Sequence, residues 1–291
     1  MLKLSQLSDI LELQHKCEQH DGITLKLNWD ILRHRSPGIQ EDFFGYEDGK
    51  LVSFLALYGF GRNIEVCGMT DPQYRQQGRF SQLWEQAVQS PAIKRMNRIL
   101  FNTPHRSVTG QQWVHNRHAK LDSTEYSMKL EHGEHSLLGQ SAGTEIAQLR
   151  QFQEEDTDLW ARLDADAFGI PEFSTIAALA NPSRSLTKVM LVIEHGGLAV
   201  GKIEIDRQDE HSWIYGFVVD PVLRGHGIGR SALRQVALQE HARGSHVWLD
   251  VSATNPRALH LYESCGFVQQ DIQDYYEYEL PQTSNDLSNM K

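Results

Sequence analysis

The sequence predicts an α/β protein built from two tandem copies of one unit, each a mixed, mostly antiparallel sheet flanked by helices. Three observations carry this prediction. The chain repeats its elements once in the same order. Each copy alternates β-rich runs with helical stripes. Each copy also places an arginine-containing glycine loop between a strand and a helix.

The first copy runs MLKLSQLSDILELQHKC, GKLVSFLALYGF, NIEVCGMTDPQYRQQGRFSQLWEQAV, RILFNTP, EYSMKL. The second runs EIAQLRQFQEEDTDLWARL, KVMLVIEHGGLAVGKIEI, SWIYGFVVDPVLRGHGIGRSALRQVAL, HVWLDVSATNP, YYEYEL. Arg75 and Arg224 stand 149 residues apart (75 to 224), about half the chain. An ordered repeat of this length is the signature of a duplicated unit. The domains are expected at 1–131 and 144–280. Glu131 to Gly143, rich in Gly, Ser and charge, is the expected linker. His132 and His135 within it read as solvated rather than as metal ligands, so no metal is expected. The polar stretch 281–291 reads as a loose tail.

Each element has a local reason. In the second copy VMLVIE, LAVGKIEI and WIYGFVV are β-rich, and His195-Gly196-Gly197 is a hairpin signal. Leu233, Val236, Ala237 and Glu240 recur at helical spacing, with Gly244 as the stop. In the first copy Phe80, Leu83, Trp84, Ala87 and Val88 form the matching stripe, expected to end at Pro91. Asn255-Pro256 starts a helix: Asn caps, and Pro suits the first helical position. Ala258, Leu261, Tyr262 and Cys265 then share a face, and Gly266 ends it.

Composition narrows the function. The net charge of −10 argues against nucleic acid as a partner. Cys17, Cys67 and Cys265 form neither a disulfide framework nor a zinc spacing. No run approaches a membrane span, and MLKLSQLSDILELQHK lacks a signal-peptide pattern. A cytoplasmic protein without membrane partners is expected.

The loop Leu223-Arg224-Gly225-His226-Gly227-Ile228-Gly229-Arg230 carries the chemistry. A strand that feeds a glycine turn into a helix offers unpaired N–H groups and a positive dipole end to an anion. Arg224 and Arg230 add charge-assisted donors. The other reading is a glycine-rich surface turn. A dinucleotide loop would need a small residue where Arg230 stands, and a Walker loop would need G-K-[ST]; neither pattern is met.

Val218-Val219-Asp220-Pro221 followed by Arg224-Gly225-His226-Gly227-Ile228-Gly229 resembles the pyrophosphate-binding motif of the GNAT superfamily of acyl-CoA-dependent N-acyltransferases. LDVSATNPRALHLYESCGF is similar to that superfamily's second hallmark: a strand, an Asn, and a helix with Tyr before Gly-Phe. The resemblance covers about Thr144 to Leu280, and more weakly the first copy. It implies two tandem GNAT-like domains, the N-terminal one degenerate and the C-terminal one catalytic.

The resemblance implies an N-acetyltransferase that moves an acetyl group from acetyl-CoA, as cosubstrate, to an amine by direct attack in a ternary complex. It implies that backbone N–H groups from Arg224 to Arg230 cradle the pyrophosphate, and that Phe217, Val218 and Val219 line the pantetheine arm where two strands splay apart. A backbone N–H near Val219 would polarise the thioester carbonyl. Asn255 would contact the CoA arm while it also caps its helix. Tyr262 would sit near the sulfur and stabilise the thiolate, its other reading being core packing. A charged primary amine of pKa about 10.4 needs a base; Glu204, His211 and Tyr215 are candidates. Strand alternation puts Trp213, Tyr215, Phe217 and Val219 on one face. Cys265 reads as a packed residue rather than a nucleophile.

The first copy departs from the motif. Phe80 stands where a second small residue belongs, Asn102 follows a strand as Asn255 does, and an ungapped match of the following segment puts His118 opposite Tyr262. A silent domain, a CoA site, a wall of the substrate cleft and an interface all remain open for it. Trp160, Phe168 and Phe173 are candidates for an acceptor pocket, with core packing the stronger expectation for the first two. The acceptor is a small-molecule or protein amine. Monomer and homodimer are both compatible with the sequence. The competing function is a non-catalytic CoA-binding sensor or scaffold.

Overall fold

The computed structural model describes residues 2–35, 38–60, 62–131, 146–180, 188–208 and 210–280. The expected linker from His132 onward, its two histidines and the expected tail lie outside the described residues. Two compact units emerge: Met1–Glu125 with Asp271–Lys291, and Tyr126–Gln270. They differ from the ranges 1–131 and 144–280 by one strand segment each.

The first unit begins with helices α1 (Leu4–Asp21) and α2 (Trp29–Arg33). Strands β1 (Asp42–Glu47), β2 (Lys50–Phe60) and β3 (Asn63–Thr70) form an antiparallel meander. Helices α3 (Arg79–Val88) and α4 (Pro91–Lys94) precede β4 (Arg98–Pro104), and α5 (Val108–His115) precedes β5 (Lys120–Leu130). The apolar run of β2 is buried continuously from Leu51 to Tyr58, as a strand covered on both faces must be. Pro91 does not simply stop α3: Ser90 accepts a hydrogen bond from the Ala92 N–H (3.2 Å) and starts α4.

The second unit opens with an added strand, β6 (Gln148–Gln151), and then repeats the order: α6 (Thr157–Phe168), α7 (Glu172–Leu179), β7 (Lys188–His195), β8 (Leu198–Gln208) and β9 (His211–Val219). Then come α8 (Ile228–Ala242), β10 (His246–Ser252), α9 (Pro256–Glu263) and β11 (Phe267–Tyr278). The hairpin at Gly196-Gly197 has both φ angles positive (60° and 79°), and Asp48-Gly49 repeats it in the first unit (48° and 77°). The strand pairs flanking these turns slip register at matching places, Ile193/Glu194 and Gly45/Tyr46.

Each core takes in the last strand of the other copy. Met128 and Leu130 of β5 are buried with the second unit's cluster around Val236 and Phe267. Tyr276 of β11 is buried with the first unit's cluster around Trp84 and Phe101, and its strand pairs antiparallel with β4. All four expected stripe residues of α8 are buried.

Glu240 is the charged member of that stripe and is fully buried. Its carboxylate accepts hydrogen bonds from Arg207 (2.6 and 3.0 Å) and from Ser212 (2.8 Å). Burial by itself would raise its pKa. The Arg207 and Ser212 hydrogen bonds outweigh burial and hold it below the usual carboxylate range. A depressed folded pKa contributes stability above the unfolded pKa, and that contribution is lost as pH falls through the folded value. Glu240→Gln is therefore expected to cost about 3 kcal/mol at pH ~7. The gap between variant and parent should close below about pH 4. Urea titrations at the two pH values check this.

Candidate active site

In the second unit β9 and β10 pair in parallel only over His211–Ile214 with His246–Leu249. Past that rung β9 runs on to Val219 and β10 to Ser252 without a shared ladder. A bulge in β9 accompanies this splay. The pairing of β9 with β8 slips between Lys202↔Val218 and Glu204↔Tyr215, and Gly216 at φ 52° takes up the extra residue. A bulge adds twist and re-aims the strand. It also breaks the expected alternation. Trp213 and Tyr215 share a face, but Phe217 and Val219 follow the slip, with Val218 and Val219 both buried.

Below the splay the loop is held by its own hydrogen bonds. Asp220 accepts from the Val222 N–H (3.2 Å), which closes the turn Pro221–Leu223. Arg224 Nε donates to the Val219 carbonyl (2.9 Å). Gly225 and Gly227 take φ of 84° and 81°, which glycine adopts at little cost. Gly227 caps α8 without a side chain, so the first-turn N–H groups have no side-chain partner. Ile228 is buried in the core and offers only its backbone. Gly229 packs under the Phe217 ring, 3.4 Å from where a Cβ would stand. His226 is exposed, its Nδ1 at 3.2 Å from the Leu223 carbonyl. Arg224 and Arg230 are exposed and enter no ion pair among the described residues; Arg230 Nε meets the Ser264 hydroxyl at 3.2 Å.

Asn255 Oδ1 accepts from the Ala258 N–H (3.1 Å), so capping uses its oxygen and leaves its amide nitrogen for other partners. Tyr262, about two helical turns further on, has its ring 6.4 Å from Phe217 and 6.2 Å from Phe267. Its hydroxyl meets no partner among the described residues. Burial, with a smaller contribution from Cys265, pushes its pKa up to about 12. It is therefore a neutral phenol across the physiological range.

The three base candidates separate. His211 stands at the first rung of β9, at the end remote from the splay, against His246 (5.6 Å). Tyr215 is exposed and stacks on Trp213 (6.3 Å). Glu204 lies at the bulge, its Oε1 3.0 Å from where a Cβ of Gly216 would stand. Lys202 Nζ contacts Glu204 at 3.3 Å and Asp164 at 2.6 Å, lies 4.5 Å over the Trp160 ring, and is almost fully buried. Sequence reasoning missed Lys202, Asp164 and Gly216. The lone glycine inside an apolar strand was the available signal. Trp160 is core, as expected. Phe168 is not: it is half-exposed at the end of α6, and Phe173 is exposed on α7.

The first unit reproduces the loop. Arg75 Nε donates to the Thr70 carbonyl (2.9 Å), Asp71 accepts from the Gln73 N–H (3.0 Å), and Gly78 has φ 76°. Its β3–β4 ladder likewise stops early, at Val66 and Phe101. However, β2–β3 keeps one register throughout, so no bulge is present. Gln76 holds the left-handed conformation (φ 59°) that Gly225 holds in the second unit. Two alignments are corrected. The strands and helices correspond at 148 residues (63 to 211, 98 to 246, 108 to 256). That spacing sets the cap Ser107, not Asn102, opposite Asn255, and Val114, not His118, opposite Tyr262. Between β3/β9 and the loop arginines the spacing becomes 149, the added residue being the bulge.

The acetyltransferase (GNAT) family pattern matches residues 146–267. N-alpha-acetyltransferase RimI of Mycobacterium tuberculosis is 31% identical over 140 residues, 47% of this chain and 87% of that enzyme. The ribosomal protein bS18 alanine N-acetyltransferase of Escherichia coli is 34% identical over 68 residues, 23% of this chain and 46% of that enzyme. A tandem GNAT protein from the clavulanic acid biosynthesis pathway aligns over 96% of both chains with a TM-score of 0.72 at 15% identity, a likeness of fold. The chain belongs to the acetyltransferase (GNAT) family. It is an acyl-CoA-dependent acetyltransferase with two GNAT folds in tandem. No helix among the described residues is long and apolar enough to cross a membrane.

Proposed function

We propose that the second unit binds acetyl-CoA and passes the acetyl group directly to the α-amine of a polypeptide. One contrast carries this reading: Arg224 and Arg230 flank the glycine loop with no ion pair among the described residues, whereas the matching loop of the first unit has its arginines paired with Asp21 and Glu47. Only the former leaves cationic donors for a pyrophosphate. The α-amine is suggested by what the two relatives are named for.

The geometry supports the following roles. The left-handed glycines and the N-terminus of α8 hold the pyrophosphate. The open edge of Phe217–Val219 hydrogen-bonds the pantetheine arm, and an N–H there stabilises the developing oxyanion, an interaction worth about 3 kcal/mol. Glu204, beside the bulge, takes the proton of the attacking amine. Tyr262 donates a hydrogen bond to the departing thiolate, which at pKa about 8.5 needs no full proton transfer at once. Phe168 and Phe173 offer the acceptor apolar contact.

Calorimetric titration of the intact chain with acetyl-CoA tests the reading. One site per chain is expected; two sites, or none up to millimolar ligand, would overturn it. Tyr262→Phe is expected to lower kcat roughly tenfold or more while leaving the affinity for acetyl-CoA unchanged. An unchanged kcat would leave Tyr262 with packing only.

A further inference from the structure

On the reading that Glu204 is the base, we propose that Lys202 is a positioning residue for acetyl transfer. Pinned by Asp164, its ammonium holds one oxygen of Glu204 at the β9 bulge and leaves the other for the acceptor's proton.

Lys202 is 1% exposed, and a buried ammonium is tolerated only where carboxylates answer it. Asp164 Oδ1 lies at 2.6 Å and Glu204 Oε1 at 3.3 Å, with the Trp160 ring at 4.5 Å. The second oxygen of Asp164 accepts from the Thr175 hydroxyl (3.1 Å). Thr175 is the buried residue of α7. Asp164 is thus fixed from both sides, and the ammonium with it. Glu204 is held on one side: its Oε2 meets no partner among the described residues, and its side chain is 27% exposed.

Gly216 makes room for the pair. A Cβ there would stand 3.0 Å from Glu204 Oε1 and 3.3 Å from Lys202 Nζ. Its left-handed backbone (φ 52°) belongs to the same bulge that re-aims Phe217–Val219. The ion pair and the open strand edge therefore share one local distortion.

The duplication supplies an internal comparison. Helices α1 and α6 each end one residue before a left-handed glycine, Gly22 and Gly169, a spacing of 147 (22 to 169). Leu13 then stands opposite Trp160, and Cys17 opposite Asp164. The hairpin glycines Gly49 and Gly197 give a spacing of 148 (49 to 197) for β2 and β8, which sets Phe54 opposite Lys202 and Ala56 opposite Glu204. Leu13, Cys17, Phe54 and Ala56 are all buried in one apolar cluster, and β2 pairs with β3 there without a slip. The same positions are thus filled by apolar side chains in one unit and by an ion cluster in the other. Replacing a buried ion cluster by packed apolar residues is commonly neutral or stabilising. Folding therefore does not account for the charges. Aiming a carboxylate does, because a misplacement of about 1 Å at a reacting group can cost about a hundredfold in rate.

The test follows melting by circular dichroism, and turnover by thiol release from acetyl-CoA with a peptide bearing an unblocked N-terminal alanine. Lys202→Met strands Asp164 as a buried, unpaired charge. It should lower the melting temperature by roughly 10 °C and kcat by about tenfold or more. Asp164→Asn combined with Lys202→Met removes both charges and keeps an acceptor for Thr175. That double variant should recover most of the melting temperature while kcat stays low, and KM for acetyl-CoA should hold in both. In Glu204→Gln, adding Lys202→Met should lower kcat by no more than about twofold, because the ammonium acts through the carboxylate. A kcat that returns with stability in the double variant would overturn the proposal. So would a double variant as unstable as Lys202→Met, or a loss of kcat in Glu204→Gln as large as in the parent. A parental rate in Glu204→Gln, or no turnover of the peptide by the parent, would overturn it differently, by removing the catalytic reading on which it rests.

Discussion

Replacing Gly227 with Glu is expected to weaken acetyl-CoA binding at least a hundredfold, while Gly78→Glu leaves it unchanged. The pair isolates one effect. Both glycines hold nearly the same left-handed conformation, φ 81° and 76°. A side chain costs roughly 1–2 kcal/mol of fold stability at either position. Both changes should lower the melting temperature, Gly227→Glu somewhat more, because a Cβ there would stand 3.3 Å from Ile146 Cδ1 whereas one at Gly78 meets nothing within 4 Å. Binding separates them. At Gly227 a carboxylate would sit at the N-terminus of α8, where the dipole and Arg224 favour an anion. It would capture those donors much as Asp21 captures Arg75 in the first unit, and it would repel the incoming phosphates. At Gly78 the arginines are already paired, so nothing is lost. Calorimetry on both variants, with circular dichroism as the folding control, decides the matter. Binding by Gly227→Glu within a few-fold of the parent would remove the phosphate role from this loop.

Glu204→Gln is expected to reduce kcat about a hundredfold with little change in the affinity for acetyl-CoA. The amide keeps the shape beside the bulge but cannot take a proton from the amine. The variant would then depend on acceptor that arrives already neutral. Its rate should climb about tenfold per pH unit until the amine's own pKa, near 8 for a peptide α-amine and near 10.4 for a lysine. The pH profile thus reads out the acceptor as well as the base. A variant with a parental rate at neutral pH would return Glu204 to a purely structural pairing with Lys202. Lys202→Met is the companion control for that pairing. It leaves Asp164 and Glu204 without their shared cation, so stability is expected to fall along with rate.

Much of this was legible before any coordinates. The duplication follows from the order of the elements. The helices follow from apolar spacing and from Asn255-Pro256, and the strand–loop–helix proposed for phosphate follows from its glycines and from Arg224. These features are local: a cap, a turn or a buried stripe is settled by residues within a few positions of one another.

Other features depended on residues far apart or on a single added residue. The sequence left Arg75 and Arg224 equivalent; the carboxylate that separates them comes from Asp21, 54 positions away. Asn102 resembled Asn255 because each follows a strand, and His118 fell opposite Tyr262 because an ungapped match has no way to see where the second helix starts. Ser107 and Val114 take those places once backbone pairing fixes the register. Phe168 read as core because aromatic side chains usually are, yet it ends a helix whose last turn faces outward.

By itself, then, the sequence determined two copies of one α/β unit, the strand–glycine loop–helix proposed to meet a phosphate, and the helices that Asn255 and Gly227 start. The tertiary structure decided that each core borrows a strand segment from the other copy, that Gly216 makes a bulge beside Glu204, and that Asp21 and Glu47 neutralise one loop but not the other. The physical reason is range. Hydrogen bonds within a turn and the period of a helix are written in adjacent residues, whereas strand pairing, a one-residue slip and an ion pair arise only when distant segments are brought together.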